Sequence, residues 1–248
     1  MDQCTLYSRS PIVEARIDIK VQLPPEIEVF TLMEMASAVE SEYAIEHQCF
    51  KIDGKIDVNS NLVASASAQN NLVGYAFVSD DKQKRFEVRN DGFTFRHSSP
   101  YPGWNIFKDR ANEVWEIYRE IAQPTQIDLL ALRYINRIDI PSTTGFELKN
   151  YLRTFAEIST ELPQNPQTWF VHLQIPGLED GSNIFITQAM IPPESPNVLS
   201  VALDIHIIKE GILSEESPNI WQNLNIMHGD ADRVFEASIS DTTRELIK

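Results

Sequence analysis

The chain of 248 residues carries 36 acidic against 21 basic side chains, a formal charge of −15 at pH 7. A field of that sign opposes non-specific attraction to nucleic acid, whose binding rests on neutralising phosphates, so direct nucleic-acid binding is not expected. It leaves room for a local basic patch, and it serves either solubility or a partner that is itself basic. Hydrophobic residues at 42% and charged residues at 23% are ordinary for a globular chain, and no apolar run approaches the ~20 residues of a membrane span.

The opening segment Met1–Pro11 has no basic stretch followed by an apolar one, so no signal peptide is expected. Cys4 and Cys49 have neither pairing nor metal-ligand spacing and read as reduced thiols of a cytoplasmic protein. Ile12 to Leu23 then alternates strictly. Val13, Ala15, Ile17, Ile19, Val21 and Leu23 share one face, and Glu14, Arg16, Asp18, Lys20 and Gln22 share the other. That pattern predicts a strand with one face on a core and the other towards solvent or a ligand.

Pro24-Pro25 stops the strand, and Glu26 and Glu28 suit the N-terminus of a helix. Val29, Leu32, Met33, Ala36, Val39 and Tyr43 keep helical spacing to about His47. A weaker strand is predicted over Cys49–Val58, followed by a polar loop or irregular edge over Asn59–Asn71. Three strands follow, Leu72–Val78, Arg85–Asn90 and Phe93–His97, with turns at Asp80-Asp81 and Asn90-Asp91-Gly92. After the break Pro100–Gly103, an amphipathic helix carries Trp104, Phe107, Ala111, Val114, Trp115, Tyr118 and Ile121 and ends before Pro124.

A second long strand runs from Leu129 to Pro141. Leu130, Leu132, Tyr134, Asn136, Ile138 and Ile140 lie on one face, with Arg133, Ile135, Arg137 and Asp139 on the other. A short helix is predicted over Phe146–Ala156, then strands Trp169–Ile175, Ile184–Ile191 and Val198–Ile208. A helix from Ser217-Pro218 carries Trp221, Leu224, Met227, Ala231, Val234 and Phe235, and Asp241–Arg244 forms a last capped turn.

The word Arg-Ile-Asp-Ile at 16–19 recurs at 137–140, and Trp104 and Trp221 each open a helix after a Pro-containing break. The expected fold is α+β, built of two β-α-β(3–4)-α pseudo-repeats, residues 1–126 and 127–248. They would share a curved antiparallel sheet with helices covering one face and the charged strand residues on the other. That topology resembles the saddle of the TATA-binding-protein fold and the helix-grip ligand-binding folds, a likeness of fold alone.

Pro11-Ile12-Val13-Glu14-Ala15, Tyr101-Pro102-Gly103-Trp104 and Leu132-Arg133-Tyr134-Ile135-Asn136-Arg137-Ile138-Asp139-Ile140 together resemble a sporadically distributed family of prokaryotic proteins of similar length. The family has no settled activity, so the resemblance implies no catalytic residue. Its patchy distribution implies a role near mobile or defence-related genes, such as antiviral defence or a toxin–antitoxin pair.

Strong chemical signatures are missing. There is no glycine-rich phosphate loop, no Cys or His pair at metal-ligand spacing and no serine in a nucleophile elbow. No cofactor or metal is expected. The best polar constellation is Glu14, Arg16, Asp18 and Lys20 with Arg133, Arg137 and Asp139. On neighbouring strands these would meet as cross-strand pairs. They form either a salt-bridge ladder on a solvated face, worth little per pair, or a polar surface whose arginines hold an anionic ligand or partner segment. Asp204 and His206 share the outer face of their strand, with His172 on a neighbouring one. An Asp-His pair suits acid-base work. Tyr101 and Trp104 are either a recognition loop or the packed start of a helix. Asn136 falls on an otherwise apolar face and, if buried, must find hydrogen bonds.

The leading functional expectation is a non-enzymatic module that binds another protein, such as an antitoxin, immunity or accessory protein. The alternatives are a sensor or carrier of a small anionic ligand on the charged sheet face, or an enzyme built around Asp204 and His206.

Overall fold

The computed structural model describes residues 7–58, 64–142, 147–155, 157–159, 161–163, 167–178, 181–213 and 219–248. Cys4 and the predicted helix starts at Phe146 and Ser217-Pro218 lie outside the described residues. The strands are β1 (Ile12–Gln22), β2 (Tyr43–Val58), β3 (Ala64–Ser79), β4 (Lys84–Arg89), β5 (Gly92–Ser98), β6 (Gln126–Pro141), β7 (Phe170–Pro176), β8 (Asn183–Ile191) and β9 (Val198–Leu213). They form one antiparallel sheet of nine strands in the order β2-β3-β4-β5-β1-β6-β9-β8-β7. Helices α1 (Met35–Val39), α2 (Trp104–Ala122), α3 (Asn219–Ser238) and α4 (Asp241–Ile247) complete an α+β fold.

Alternation decides which face of the sheet is covered. β1 buries Ala15, Ile17, Ile19 and Val21, and β6 buries Leu130, Leu132, Tyr134, Ile138 and Ile140. The apolar stripe of α2 packs on that face through Phe107, Val114, Trp115 and Tyr118. The Trp115 ring lies 5.6 Å from Phe93 and 5.5 Å from Tyr118, and Phe107 lies 5.7 Å from Phe95. α3 adds Leu224, Met227, Ala231 and Val234 to the same core. Full burial of one such side chain stabilises by about 1.5–3 kcal/mol, so the pattern holds the helices to one side, and among the described residues no helix covers the other, open face.

The punctuation of α2 follows its sequence. Gly103 has φ +92° just before Trp104, a region that favours glycine. At the other end Gln123 is left-handed, its N–H donates to the Arg119 carbonyl, and Pro124 prevents continuation.

Three predicted elements differ. The helix expected from Val29 to His47 is a 3-10 turn over Val29–Glu34 followed by α1, and the chain is already in β2 at Tyr43. Tyr43 fits a helical stripe, yet it is taken by the sheet, edge-on to Phe86 at 5.0 Å. The loop expected over Asn59–Asn71 is strand from Ala64 onward, in register with β2. Its small residues have little strand preference of their own, and pairing with β2 overrides that. Within the described part of the helix expected over Phe146–Ala156 there is only a 3-10 turn at Leu148–Asn150. Beyond it, Leu152 bridges to Ile239, and the Tyr151 carbonyl accepts from Ser240 N and Thr243 Oγ1. The start of α4 thus claims this segment. Among the described residues no helix is long and apolar enough to cross a membrane.

Candidate functional site

The open face is organised by register. Arg16 on β1 lies directly opposite Arg133 on β6 and Arg96 on β5, and Arg96 lies opposite Arg85 on β4. Four arginines on four adjacent strands therefore form one row across the sheet. Directly opposed residues are only about 5 Å apart, and like charges so placed destabilise a sheet. Carboxylates in the neighbouring rows offset this. Arg16 Nη2 donates to Asp18 Oδ1 at 2.6 Å, and Arg133 donates to Asp204 from Nε at 2.8 Å and Nη2 at 2.6 Å. Arg96 reaches Glu87 and Arg85 reaches Glu46, both at 2.5 Å. Asp18 also accepts from Thr94 Oγ1 at 2.6 Å, and Glu87 from Arg89 Nη1 at 2.7 Å.

Among the described residues, oppositely charged side chains do not stand directly opposite one another between β1 and β6. Glu14 faces Ile135, Asp18 faces Ala131, and Lys20 faces Leu129. The pairs run along one strand, as in Arg16–Asp18 and Arg137–Asp139, or outward to β9, as in Arg133–Asp204. The two hydrogen bonds that Arg133 donates to Asp204 hold the guanidinium above its ordinary pKa. Arg137 is a clamp: besides Asp139, it donates from Nη2 to the Pro192 carbonyl at 3.2 Å and Ser200 Oγ at 2.9 Å.

The row holds more donors than these pairs consume. A guanidinium has five N–H groups. Among the described residues, the Nε atoms of Arg16, Arg85 and Arg96 are buried without a hydrogen-bond partner. Beside two of them Glu14, Lys82, Arg85, Arg96 and Ser98 line a shallow depression of about 70 Å³. This surface is rich in fixed cationic donors, each leaning on a carboxylate that orients it.

Beyond Arg133 the same row changes character. Arg133 lies opposite His206 on β9, and His206 lies opposite Phe185 on β8. The Phe185 ring is 6.1 Å from His206 and 6.0 Å from His172, which in turn is 6.3 Å from Phe170. Burial, reinforced by the positive charge of Arg133, lowers the His206 pKa below its ordinary 6.5, so the imidazole is neutral at pH 7. Asp204 and His206 share this face, but the Asp204 carboxylate is gripped by Arg133. His172 Nδ1 meets Thr187 Oγ1 at 2.8 Å.

Tyr101, Trp104 and Asn136 belong to the helix-covered side. Trp104 stacks on His228 of α3, with centroids 4.5 Å apart and planes 19° apart, and its Nε1 donates to Asn225 Oδ1 at 2.9 Å. The Tyr101 and Tyr134 hydroxyls meet at 3.4 Å, Tyr134 Oη meets His228 Nδ1 at 3.1 Å, and His228 Nε2 lies 3.5 Å from Asp232. This polar seam joins the start of α2 to α3. Asn136 is buried and donates from Nδ2 to the Leu203 carbonyl at 3.1 Å, tying β6 to β9.

Arg85, Arg96, Glu87 and Phe185 are among the members of this surface that sequence reasoning missed. Alternation within Arg85–Asn90, Phe93–His97 and Ile184–Ile191 already places them on outer faces. Among the described residues no group of three or more His, Cys, Asp or Glu side chains is arranged to hold a metal ion. No family model matches the chain, and no curated protein matches it.

Proposed function

We propose that this is a non-enzymatic binding protein that takes an anionic group on the open face of its sheet. The observation that carries the reading is the row Arg85–Arg96–Arg16–Arg133, each arginine held by a carboxylate while its side chain stays 24–38% exposed. Orienting carboxylates keep the guanidinium groups fixed, so less side-chain freedom is lost when an anion arrives. The test is thermal denaturation with inorganic phosphate, sulfate and citrate. A saturable rise in Tm that Arg16→Ala abolishes supports the reading. The same rise in Arg16→Ala, or none in the wild type, overturns it.

The strand order also supports a duplicated architecture. The first strand of each half pairs with the last strand of its own half, β1 with β5 and β6 with β9, and the two first strands meet in the middle.

A second reading, a protein-interaction module of the kind found in prokaryotic defence, is favoured by the sheet's edges. Phe50 and Ile52 on β2 and Phe170 on β7 are more than half exposed on the two outermost strands of the described sheet. Edge strands recruit extended segments through main-chain hydrogen bonds. Native mass spectrometry of the protein purified gently from its own host tests this. A stoichiometric complex with a second protein supports the module, and a bare chain refutes it.

A further inference from the structure

The row of opposed side chains is continuous from Arg85 to Phe185, passing from four guanidinium groups to an imidazole and then a phenyl ring. We infer that the ligand of this face is a nucleotide, its phosphate on Arg16 and Arg133 and its base against His206 and Phe185. The inference rests on the anion-binding reading above and adds the chemistry of the ligand's other end.

Three observations carry it. First, distance: Arg133 and Phe185 are two strands apart, about 10 Å at the usual strand spacing, within the span of one nucleoside monophosphate. Second, ring chemistry: Phe185 is flanked by His206 and His172 at about 6 Å, with Phe170 continuing the series, so this end of the open face is apolar and aromatic where the other end is charged. Aromatic side chains beside cationic ones are the means by which sheet surfaces hold bases and phosphates together. The neutral state of His206 suits it to stacking and spares it repulsion from Arg133. Third, total charge: a chain at −15 repels a long polyanion, while a ligand with one or two charges is met mainly by the local donors.

A free nucleotide and a nucleotide unit of a single strand share this chemistry, and the experiment separates them. Binding of the four nucleoside 5′-monophosphates, the matching nucleosides and inorganic phosphate is measured by calorimetry with the full chain. The inference expects at least one monophosphate to bind at least ~10-fold more tightly than both phosphate and its own nucleoside, the lower part of the range for a base stack. Phe185→Ala and Phe185→Leu should each remove that advantage and leave phosphate binding unchanged. The leucine variant keeps apolar bulk, so it isolates the ring from any packing loss. Monophosphates that bind no better than phosphate overturn the inference while the anion site stands. An absence of binding by all probes overturns both. A five-residue oligonucleotide that binds more tightly than its monomer, with a steeper salt dependence, overturns the charge argument and the free nucleotide as ligand; equal or weaker binding supports the inference and assigns the free nucleotide.

Discussion

Arg133 holds Asp204 with two parallel hydrogen bonds across the β6–β9 boundary, Nε to Oδ1 at 2.8 Å and Nη2 to Oδ2 at 2.6 Å. The carboxylate is the more enclosed partner, at 16% exposure against 33% for the arginine. Arg133 is thereby committed in two places, to its carboxylate on one side and to the like charge of Arg16 on the other.

Breaking that pair should cost more than deleting it. Arg133→Ala leaves the Asp204 carboxylate partly buried without its partner, at an expected cost of about 1–3 kcal/mol. Arg133→Ala combined with Asp204→Ala should destabilise by less than the two single changes added together, with a coupling of about 1–2 kcal/mol. Urea unfolding of the four proteins gives the cycle; strict additivity would show the pair to be energetically idle.

Acid should loosen the seam between α2 and α3. Burial lowers the His228 pKa below its ordinary 6.5, with Asp232 opposing that shift and Lys108 assisting it. Trp104, Tyr134 and, through it, Tyr101 enclose the same ring. The unfolded chain therefore binds this proton more readily than the folded one. Stability is full above 6.5, declines as pH falls through 6.5, and levels off below the lowered folded-state value. His206 has the same sign. His228→Gln should lose less stability than the wild type between pH 7 and pH 5; identical slopes in chemical denaturation would exclude a contribution from this ring.

Trp115 anchors α2 to the sheet between Phe93 and Tyr118 and is 1% exposed. Trp115→Ala should destabilise by about 3–5 kcal/mol through lost burial and the cavity left behind. A change below 1 kcal/mol in urea unfolding would mean that α2 does not hold the core as described.

Much of this was legible because β1, β6 and α2 each state their period over many residues. Ala15-Ile17-Ile19-Val21 and Phe107-Val114-Trp115-Tyr118 leave few other readings. The 64–71 segment was misread because its alanines, serines and asparagines carry no period and depend on β2 for their hydrogen bonds. The arginine row was illegible for a different reason. Arg96 and Arg133 become neighbours of Arg16 only through the long-range pairings of β1 with β5 and β6, and local pattern contains no register between distant strands. Opposite charges were expected where β1 meets β6, and like charges stand there.

The position of β1 also bears on how the chain reaches its native state. Pairings β2–β3, β3–β4, β4–β5, β7–β8 and β8–β9 join strands consecutive in the chain, whereas β1–β5, β1–β6 and β6–β9 join strands that are not. The cost of closing long loops is therefore concentrated in the two middle strands. The hairpins on either flank need only local loops, and the sheet is one only through the pairing of β1 with β6. The arginine row spans that junction, so it is complete only once β1 and β6 have paired.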